Sequence, residues 1–372
     1  MKQLYVYILM LMSASLALTA CDDWANMEIK DPANLLESVK DDAYYARLRE
    51  YKKTDHPVAF GWYGNWIGTG ASYENSLKGL PDSVDFVSLW GNWKNPSFDM
   101  MEDLRYVQNK KGTKVLVCFL VLDIGDQLTP PMPEGEKENG TTDTEWRHKF
   151  WGWDYSLDNR LIAVEKYANA LCDSIEKYNY DGFDLDAEPT LEHPFPTDKE
   201  LWQNGNQVIV RFVETLSKRI GPKSGSGKML VIDGEPQALP AELFSCFDYL
   251  ILQTYSTYYD QDNSSLDERF QTQYAHFKEV ATPGEIARKI IVCEDFETFA
   301  QTGGAKFTLP NGDEINSLSG LAYWNPSIEG VQYRKGGVGT FHMEYEYRVG
   351  TQSTITYPAL RQAVQIQNPS NK

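Results

Sequence analysis

The residues best suited to chemistry lie in one acidic run, DGFDLDAE, at positions 181–188. Side chains on a strand alternate between its faces, so this spacing places Asp184, Asp186 and Glu188 on one face and apolar residues on the other. The apolar face can pack beneath helices. Neighbouring carboxylates are costly to bury unless they share protons or bind a ligand. The run therefore predicts a functional site on a buried strand.

The last member of the run, Glu188, has the properties of a general acid. Carboxyl groups this close together cannot all ionise freely, so at least one should have a raised pKa. Glu188 lies where the strand opens into a loop, within reach of a ligand, and a glutamic acid kept protonated near neutral pH can donate its proton. A solvated acidic surface and a calcium loop are the simpler alternatives. An EF-hand requires a glycine at the sixth position together with a glutamate at the twelfth, and counting from Asp181 or from Asp184 does not give this combination, because neither count places a glycine sixth.

The pattern Asp181-Gly182-x-Asp184-x-Asp186-x-Glu188 resembles the signature of glycoside hydrolase family 18, which contains chitinases and endo-β-N-acetylglucosaminidases. In that family the signature lies on the fourth strand of a (β/α)8 barrel. The resemblance therefore implies an α/β fold, a single TIM barrel with long βα loops, over residues 54–372. Here an alanine precedes the glutamate where the family often has an aromatic residue. A non-catalytic glycan-binding protein on the same fold stays open as an alternative.

Alternating strand and helix patterns from His56 onward support a parallel barrel over an open sheet. The run at 181–188 follows a long amphipathic helix, as a βα repeat requires. An Asn-Gly turn at residues 311–312 predicts a hairpin after the seventh strand. The predicted strands are residues 58–63, 84–90, 114–120, 181–188, 229–235, 247–255, 290–295 and 337–344.

Candidate substrate-binding residues follow the predicted strands. Trp62, Trp90 and Asn92 lie at the ends of the first two strands, where they suit either a platform for sugar rings or packing within the barrel. Glu344 and Tyr345 end the eighth strand and are also assigned to substrate binding. The long Pro- and Gly-rich segment 123–156 is predicted to be a loop that walls the site, because loops of this length are usually functional or disordered.

A second motif, Gln253-Thr254-Tyr255, ends the sixth predicted strand. In family 18 a tyrosine here helps hold the 2-acetamido group of the substrate. The resemblance implies a retaining mechanism in which that acetamido group attacks the anomeric carbon. Glu188 would protonate the glycosidic oxygen and then activate water, Asp186 would support the acetamido group, and Asp184 would share a proton with Asp186. Gln253 and Tyr255 would position the acetamido oxygen.

The resemblance favours an endo-β-N-acetylglucosaminidase that cleaves between the two core GlcNAc residues of N-glycans. Gln253 points to that branch, because chitinases of the family usually have Met at this position. Residues 121–125 also lack the Ser-x-Gly-Gly motif that many family chitinases carry. A chitinase remains the nearer alternative. No metal or organic cofactor is implied, and the 5 histidines form no HExxH motif.

Composition limits the partners. The chain has 372 residues and a net charge of −18, which disfavours nucleic acid and anionic membrane surfaces as partners. The charge fits a neutral ligand, and the family resemblance implies that this ligand is the N-glycans of glycoproteins. The protein is expected to be a monomer. With 10 Trp and 22 Tyr, the chain is rich in rings that can stack on sugars, although many will be core.

The N-terminal sequence predicts a targeting segment. Lys2 precedes an apolar run that is too short for a lasting transmembrane helix and ends Leu-Thr-Ala-Cys at residues 18–21. Residues 1–20 resemble a bacterial lipoprotein signal peptide, which implies lipidation of Cys21 and an outer-membrane lipoprotein exposed at the cell surface. An ordinary secretory signal is the alternative. Residues 21–53 are predicted to form a tether and an N-terminal helix that covers the barrel floor or leads in from the anchor.

The other four cysteines lie within or beside apolar segments and have no CxxC spacing, so a zinc site is not expected. Buried free thiols are the prediction, and a disulfide stays open for an extracytoplasmic protein. These residues are Cys118, Cys172, Cys246 and Cys293.

Overall fold

The computed structural model describes residues 40–190, 199–203, 205–256, 261–349 and 355–369. The predicted signal peptide 1–20, the lipidation site Cys21 and the start of the tether lie outside the described residues. The compact unit Asp42–Lys372 carries the barrel. Within the described ranges, no helix combines the length and hydropathy needed to cross a bilayer.

Eight parallel strands close into a barrel in the order β1-β8-β7-β6-β5-β4-β3-β2, which confirms the predicted TIM barrel. Each strand pairs in parallel with both neighbours. The strands are β1 Val58–Tyr63, β2 Phe86–Trp90, β3 Lys114–Leu120, β4 Gly182–Ala187, β5 Met229–Gly234, β6 Leu250–Gln253, β7 Ile290–Asp295 and β8 Gly337–Phe341.

Helices surround the barrel and form part of its loops. They are α1 Asp42–Tyr51, α2 Phe98–Tyr106, α3 Glu134–Glu138, α4 Asp143–Trp151, α5 Leu157–Tyr178, α6 Gln207–Ser217, α7 Asn263–Phe277, α8 Pro283–Lys289, α9 Phe296–Phe299, α10 Ser317–Tyr323 and α11 Pro358–Gln367. A π-helical turn, Val107–Lys111, extends α2. The predicted hairpin is confirmed, because Lys306–Thr308 pairs antiparallel with Glu314–Asn316.

Helix α1 lies at the amino ends of β2 and β3, which form the barrel floor. From α1, Arg49 donates to the Lys110 carbonyl at 2.8 Å. Lys52, just beyond the helix, donates to Thr113 Oγ1 at 2.8 Å. Thr113 directly precedes β3 and Lys110 lies in the π-helical turn before it, so this helix packs near the amino ends of the strands, opposite the strand ends that carry the acidic run.

The position of β4 is fixed at its first residues. Asp181 accepts hydrogen bonds from the backbone N–H of Val115 at 2.8 Å and from the Gln108 amide at 2.6 Å, which ties the start of β4 to β3. At Gly182 a Cβ would lie 2.0 Å from the Met229 carbonyl oxygen, so only glycine allows β5 to approach here. The first two residues of the acidic signature therefore set the strand in place.

Two predictions about the loops are wrong. Residues 123–156 are not one long loop, because α3 and α4 lie within them. Thr142 and Glu145 form a reciprocal capping box that starts α4, with the Thr142 N–H donating to Glu145 at 2.8 Å. The eighth strand ends at Phe341 and does not reach residue 344. His342 adopts a left-handed conformation with φ 49°, and a 3-10 turn, Met343–Glu346, follows.

The four described cysteines are buried and unpaired, which confirms the free thiols expected from the sequence.

Candidate active site

The acidic face of β4 points into the barrel. Asp184 pairs in register with Cys118 of β3, and Asp186 pairs with Asp233 of β5. Asp184 is fully buried and Asp186 is 4% exposed. The alternate residues of β4, including Phe183 and Leu185, pack in the outer core between strands and helices. The predicted division of β4 into an acidic inner face and an apolar outer face is confirmed.

Asp233 is an acidic residue of this cluster that the sequence analysis missed. It lies on β5 and is 1% exposed. The Gln253 amide donates to Asp233 at 2.9 Å, and the Cys118 thiol lies 3.8 Å from its other oxygen. A signal was present, because the sequence Ile232-Asp233-Gly234 places a carboxyl at the end of the strand next to β4. Three aspartates, and not two, therefore share the interior of the barrel.

The environment of these aspartates favours their protonated forms. Burial raises the pKa of Asp184 to about 6. Polar side chains surround it, but neither of its oxygens makes a hydrogen bond of ordinary geometry within the described residues. Burial and then the charges of Glu188 and Asp184 raise the pKa of Asp186 well above its usual value. Burial and then the charges of Asp186 and Asp184 do the same for the pKa of Asp233. The cluster therefore holds shared protons at neutral pH.

The same cluster has the dimensions of a cation site but unsuitable chemistry for one. Cys118, Asp184 and Asp233 each offer a ligand atom, and these atoms lie within 4.8 Å of one another. A metal requires the thiolate form of cysteine. Burial, followed by the negative charge of the neighbouring aspartates, raises the pKa of the Cys118 thiol well above its usual value. Proton sharing suits these groups better than metal binding.

Glu188 follows the last residue of β4 and is half-buried at the mouth of the barrel. It lies two residues beyond Asp186, and its charge is one cause of the raised pKa of that aspartate. A carboxyl group at this position is partly open to solvent and lies close enough to the buried cluster to affect its protonation. This is the geometry expected of an acid that exchanges a proton with substrate.

Tyr255 and Gln253 form the opposite side of the cluster. Tyr255 stacks on Phe341 with ring centroids 6.0 Å apart. Burial, followed by nearby anionic groups that include Asp233 and Asp186, raises the pKa of the Tyr255 hydroxyl well above its usual value. The hydroxyl therefore stays protonated and can donate a hydrogen bond. All five predicted catalytic residues lie around one end of the barrel.

The predicted platform residues separate into two kinds. Trp62 is 2% exposed and belongs to the layer of side chains that fills the barrel, which fits the packing interpretation and not the platform. Trp90 is half-buried, lies 6.1 Å from the Phe341 ring and lines a cavity of about 320 Å³ at the ends of β2 and β3. Asn92 is exposed, and its amide donates to the Trp66 carbonyl at 3.4 Å. Binding of sugar by Trp90 and Asn92 stays a prediction.

The structure gives Glu344 a different position from the one predicted, because β8 ends three residues earlier. Glu344 is 2% exposed and accepts hydrogen bonds from the Gly64 N–H at 3.0 Å and from the Asn65 amide at 3.4 Å. Its carboxylate also lies 2.8 Å from His342 Nδ1. Glu344 therefore ties the loop after β1 to the turn after β8, and its carboxylate is already occupied.

Tyr345 remains available as an aromatic surface. It is 39% exposed and stacks on His342 with centroids 4.7 Å apart, while His342 contacts Phe341 at 4.3 Å. Phe341 and His342 were not singled out in the sequence, because the strand was expected to continue through them. Together with Tyr255, these residues form a row of rings at the ends of β6 and β8.

A closed (β/α)8 barrel with clustered carboxyl groups at the carboxyl ends of its strands is the architecture of a barrel glycoside hydrolase. The chain belongs to glycoside hydrolase family 18. The model of this family described as "Glycoside hydrolase family 18, BT1044-like" matches residues 22–366. The resemblance expected from the acidic signature is confirmed.

Individual proteins to which this chain is similar are consistent with this family. A solved structure of BT1044, a selenomethionine form carrying a Glu-to-Gln substitution, is 35% identical with TM-score 0.70, and the match covers 88% of this chain and 92% of that chain. Endo-beta-N-acetylglucosaminidase F2 of Elizabethkingia meningoseptica is 27% identical over 218 residues. That match covers 56% of this chain and 54% of the relative, about half of its length. An endo-beta-N-acetylglucosaminidase from Cordyceps militaris, 21% identical with TM-score 0.59, shares the fold over 89% of this chain and 98% of its own.

Proposed function

We propose that this protein is an endo-β-N-acetylglucosaminidase that cleaves the GlcNAc-β1,4-GlcNAc core of N-glycans on glycoproteins. The observation that carries the proposal is the pair formed by Gln253 and Asp233 beside Asp186, with a 2.9 Å hydrogen bond that fixes the Gln253 amide. An amide and a phenol on one side of a carboxyl cluster can hold the 2-acetamido group of an N-acetylhexosamine. The identity with the Elizabethkingia endo-beta-N-acetylglucosaminidase, at 27%, points in the same direction.

In the proposed reaction the acetamido oxygen of the substrate attacks the anomeric carbon, and the configuration is retained. Glu188 donates its proton to the departing glycosidic oxygen and later removes a proton from the attacking water. Tyr255 and Gln253 hold the acetamido oxygen in line with the anomeric carbon. The bond that breaks joins the two GlcNAc residues, so one GlcNAc stays on the protein.

The aspartate cluster supports the positive charge that develops on the acetamido group. Asp186 accepts the acetamido N–H and becomes ionised as the oxazolinium ion forms, while its proton moves to Asp184, whose pKa of about 6 leaves it able to accept one at neutral pH. The buried position makes this possible, because a charge that is unfavourable in the resting enzyme becomes favourable when a cation forms beside it. The raised pKa of Asp186 is thus matched to the reaction.

The proposal includes attachment to the outer membrane by a lipid on Cys21, with the barrel exposed to glycoproteins outside the cell. It rests on the sequence of residues 1–23 alone. Replacing Cys21 with Ala and following both lipid labelling and membrane fractionation tests it. Unchanged labelling of the variant would contradict this part of the proposal.

The deciding experiment presents one substrate panel to wild type, Glu188→Gln and the control Glu242→Gln, an exposed glutamate after β5. The panel contains a high-mannose glycoprotein, a complex-type glycoprotein and chitooligosaccharides, with products identified by mass spectrometry. Wild type and the control should release glycans that end in a single GlcNAc, and Glu188→Gln should lose at least about 10³-fold of that activity. Cleavage of chitooligosaccharides without glycan release would identify a chitinase. Tight binding without turnover would identify a glycan-binding protein.

A further inference from the structure

The end of β5 surrounds the loop that carries Glu188. Ala187 and Gly234 are partners in the register of β4 and β5. Gly234 has φ 81°, and a Cβ there would lie 2.5 Å from the Ala187 oxygen and 3.0 Å from Glu188 Cγ. Only glycine therefore allows the β5 backbone to lie directly against the stem of the Glu188 side chain.

Glu235, the next residue, contacts the chain on both sides of Glu188. Its backbone N–H donates to the Ala187 carbonyl at 2.7 Å. Its carboxylate accepts the backbone N–H of Thr190 at 2.7 Å and also accepts the Thr190 hydroxyl. One residue directly after β5 thus holds the residue before Glu188 and the second residue after it.

Between these two anchors the chain has little freedom. Pro189 restricts the backbone of the residue before it to extended conformations. With Ala187 fixed by the sheet and Thr190 fixed by the Glu235 carboxylate, the direction of the Glu188 side chain is set from three sides. The two hydrogen bonds to Thr190 join both its backbone N–H and its hydroxyl to one carboxylate, which restricts the orientation of this residue.

We propose that Glu235 is a positioning residue that holds the proton donor Glu188 in line with the glycosidic oxygen by binding Thr190. This inference rests on the proposed function. Neither residue touches the reacting atoms. Their effect is on the distance and angle of proton transfer, to which the rate is sensitive at the scale of 1 Å.

The test compares Glu235→Ala, which removes both acceptors, with Thr190→Val, which removes only the hydroxyl. Thr190→Ser keeps the hydroxyl and serves as the conservative variant, and Glu242→Ala is the charge-matched control. We expect kcat for glycan release to fall about 10- to 100-fold in Glu235→Ala and less in Thr190→Val, with KM changed less than about twofold. Thr190→Ser and Glu242→Ala should match wild type.

A second readout separates positioning of the acid from general damage. Cleavage of the glycosidic bond is followed in the pre-steady state with two substrates that have the same glycone. In one the leaving group is a sugar, and in the other it is nitrophenolate. Nitrophenolate leaves with little protonation, so its release should fall much less in Glu235→Ala than release of the sugar. Equal losses with both substrates would overturn the inference, as would an unchanged kcat.

The outcomes distinguish this inference from the proposed function. If Glu188→Gln abolishes glycan release while Glu235→Ala and Thr190→Val retain full kcat, the function stands and the positioning role is wrong. If wild type releases no glycan, the proposed function itself fails. Should Glu235→Ala not fold, Thr190→Val compared with Thr190→Ser decides the question, because this pair leaves the Glu235 carboxylate in place.

Discussion

Two sets of buried carboxyl groups, one outside the barrel and one inside it, have contrasting surroundings. Asp103 of α2, outside the barrel, is fully buried and accepts four hydrogen bonds. The donors are Trp66 Nε1 at 2.9 Å, Ser76 Oγ at 2.6 Å, Leu77 N at 2.7 Å and Lys78 N at 2.9 Å. This carboxylate is satisfied, and it holds the loop after β1 against α2.

Inside the barrel polar side chains lie near the aspartates, but few of them make hydrogen bonds of ordinary geometry to the carboxyl oxygens. Both oxygens of Asp184 and one oxygen of Asp186 lack hydrogen-bond partners within the described residues. Asp233 accepts a hydrogen bond from Gln253 and is approached by the Cys118 thiol. Burial alone does not mark a catalytic carboxyl group. The distinction lies in whether the fold supplies donors to stabilise the charge or leaves the charge to be stabilised during the reaction.

The largest effect on stability is expected at the donor-rich site. The substitution Asp103→Asn replaces one of the two carboxylate oxygens with an NH2 group. This group then faces hydrogen-bond donors that the oxygen had accepted from. The free energy of unfolding should fall by about 3 kcal/mol or more, because buried donors lose their partner. Denaturant unfolding at pH 7 measures this loss. Turnover by the folded variant should stay within about twofold of wild type, and a large loss of turnover without loss of stability would remove the contrast.

The same substitution inside the barrel should act in the opposite direction. Asp184 has a pKa raised from 3.8 to about 6, so the folded state binds its proton more tightly than the unfolded state does. The stability of wild type should therefore fall as pH rises from about 4 to 6, and stay lower above that. Asp184→Asn lacks this titration and should be more stable than wild type at pH 7 by roughly 2–3 kcal/mol.

Unfolding free energies of Asp184→Asn and wild type, measured from pH 4 to pH 7, check the sign. The difference between the two proteins should grow with pH and vanish near pH 4. A difference that shrinks with rising pH would show that the folded protein stabilises the charge of Asp184, contrary to the comparison. The turnover of the variant should fall, since the shared proton is lost.

A smaller effect is expected at Glu344, which resembles Asp103 more than the cluster. Glu344→Gln keeps an acceptor for the Gly64 N–H. The free energy of unfolding should fall by about 1 kcal/mol, and KM for glycan should change less than twofold. Unfolding and steady-state kinetics measure the two quantities. A tenfold rise in KM with unchanged stability would restore Glu344 as a substrate-binding residue.

Much of the fold was predictable because buried parallel strands have continuous apolar sequences. The bounds of β1, β3 and β7 agree with the structure to the residue. The eighth strand was predicted too long. His342 ends it by adopting a left-handed conformation, which its residue type does not predict. Helix α4 was missed although its start, Thr142 to Glu145, is a recognisable capping box.

The site was predictable where one strand supplies it. Alternation along β4 is a local property, so Asp184, Asp186 and Glu188 could be placed together from sequence. Asp233 lies 47 positions after Asp186, and its contact with the cluster depends on the register between β4 and β5. The role of Trp62, platform or packing, could not be decided from sequence for a similar reason. Whether a side chain at a strand end fills the barrel or faces a ligand depends on how the barrel closes. Contacts between strands depend on the register and closure of the barrel, which cannot be derived from the sequence of one strand.

The most direct test of the contrast is a paired measurement of stability and turnover on Asp186→Asn. The substitution removes a carboxyl group whose charge the resting fold disfavours and the proposed reaction uses. The account predicts an unfolding midpoint at pH 7 equal to or above that of wild type, together with a loss of glycan release of about 10²-fold or more. A lower midpoint with turnover retained would contradict it, because Asp186 would then belong with Asp103 among the carboxylates that hold the fold together.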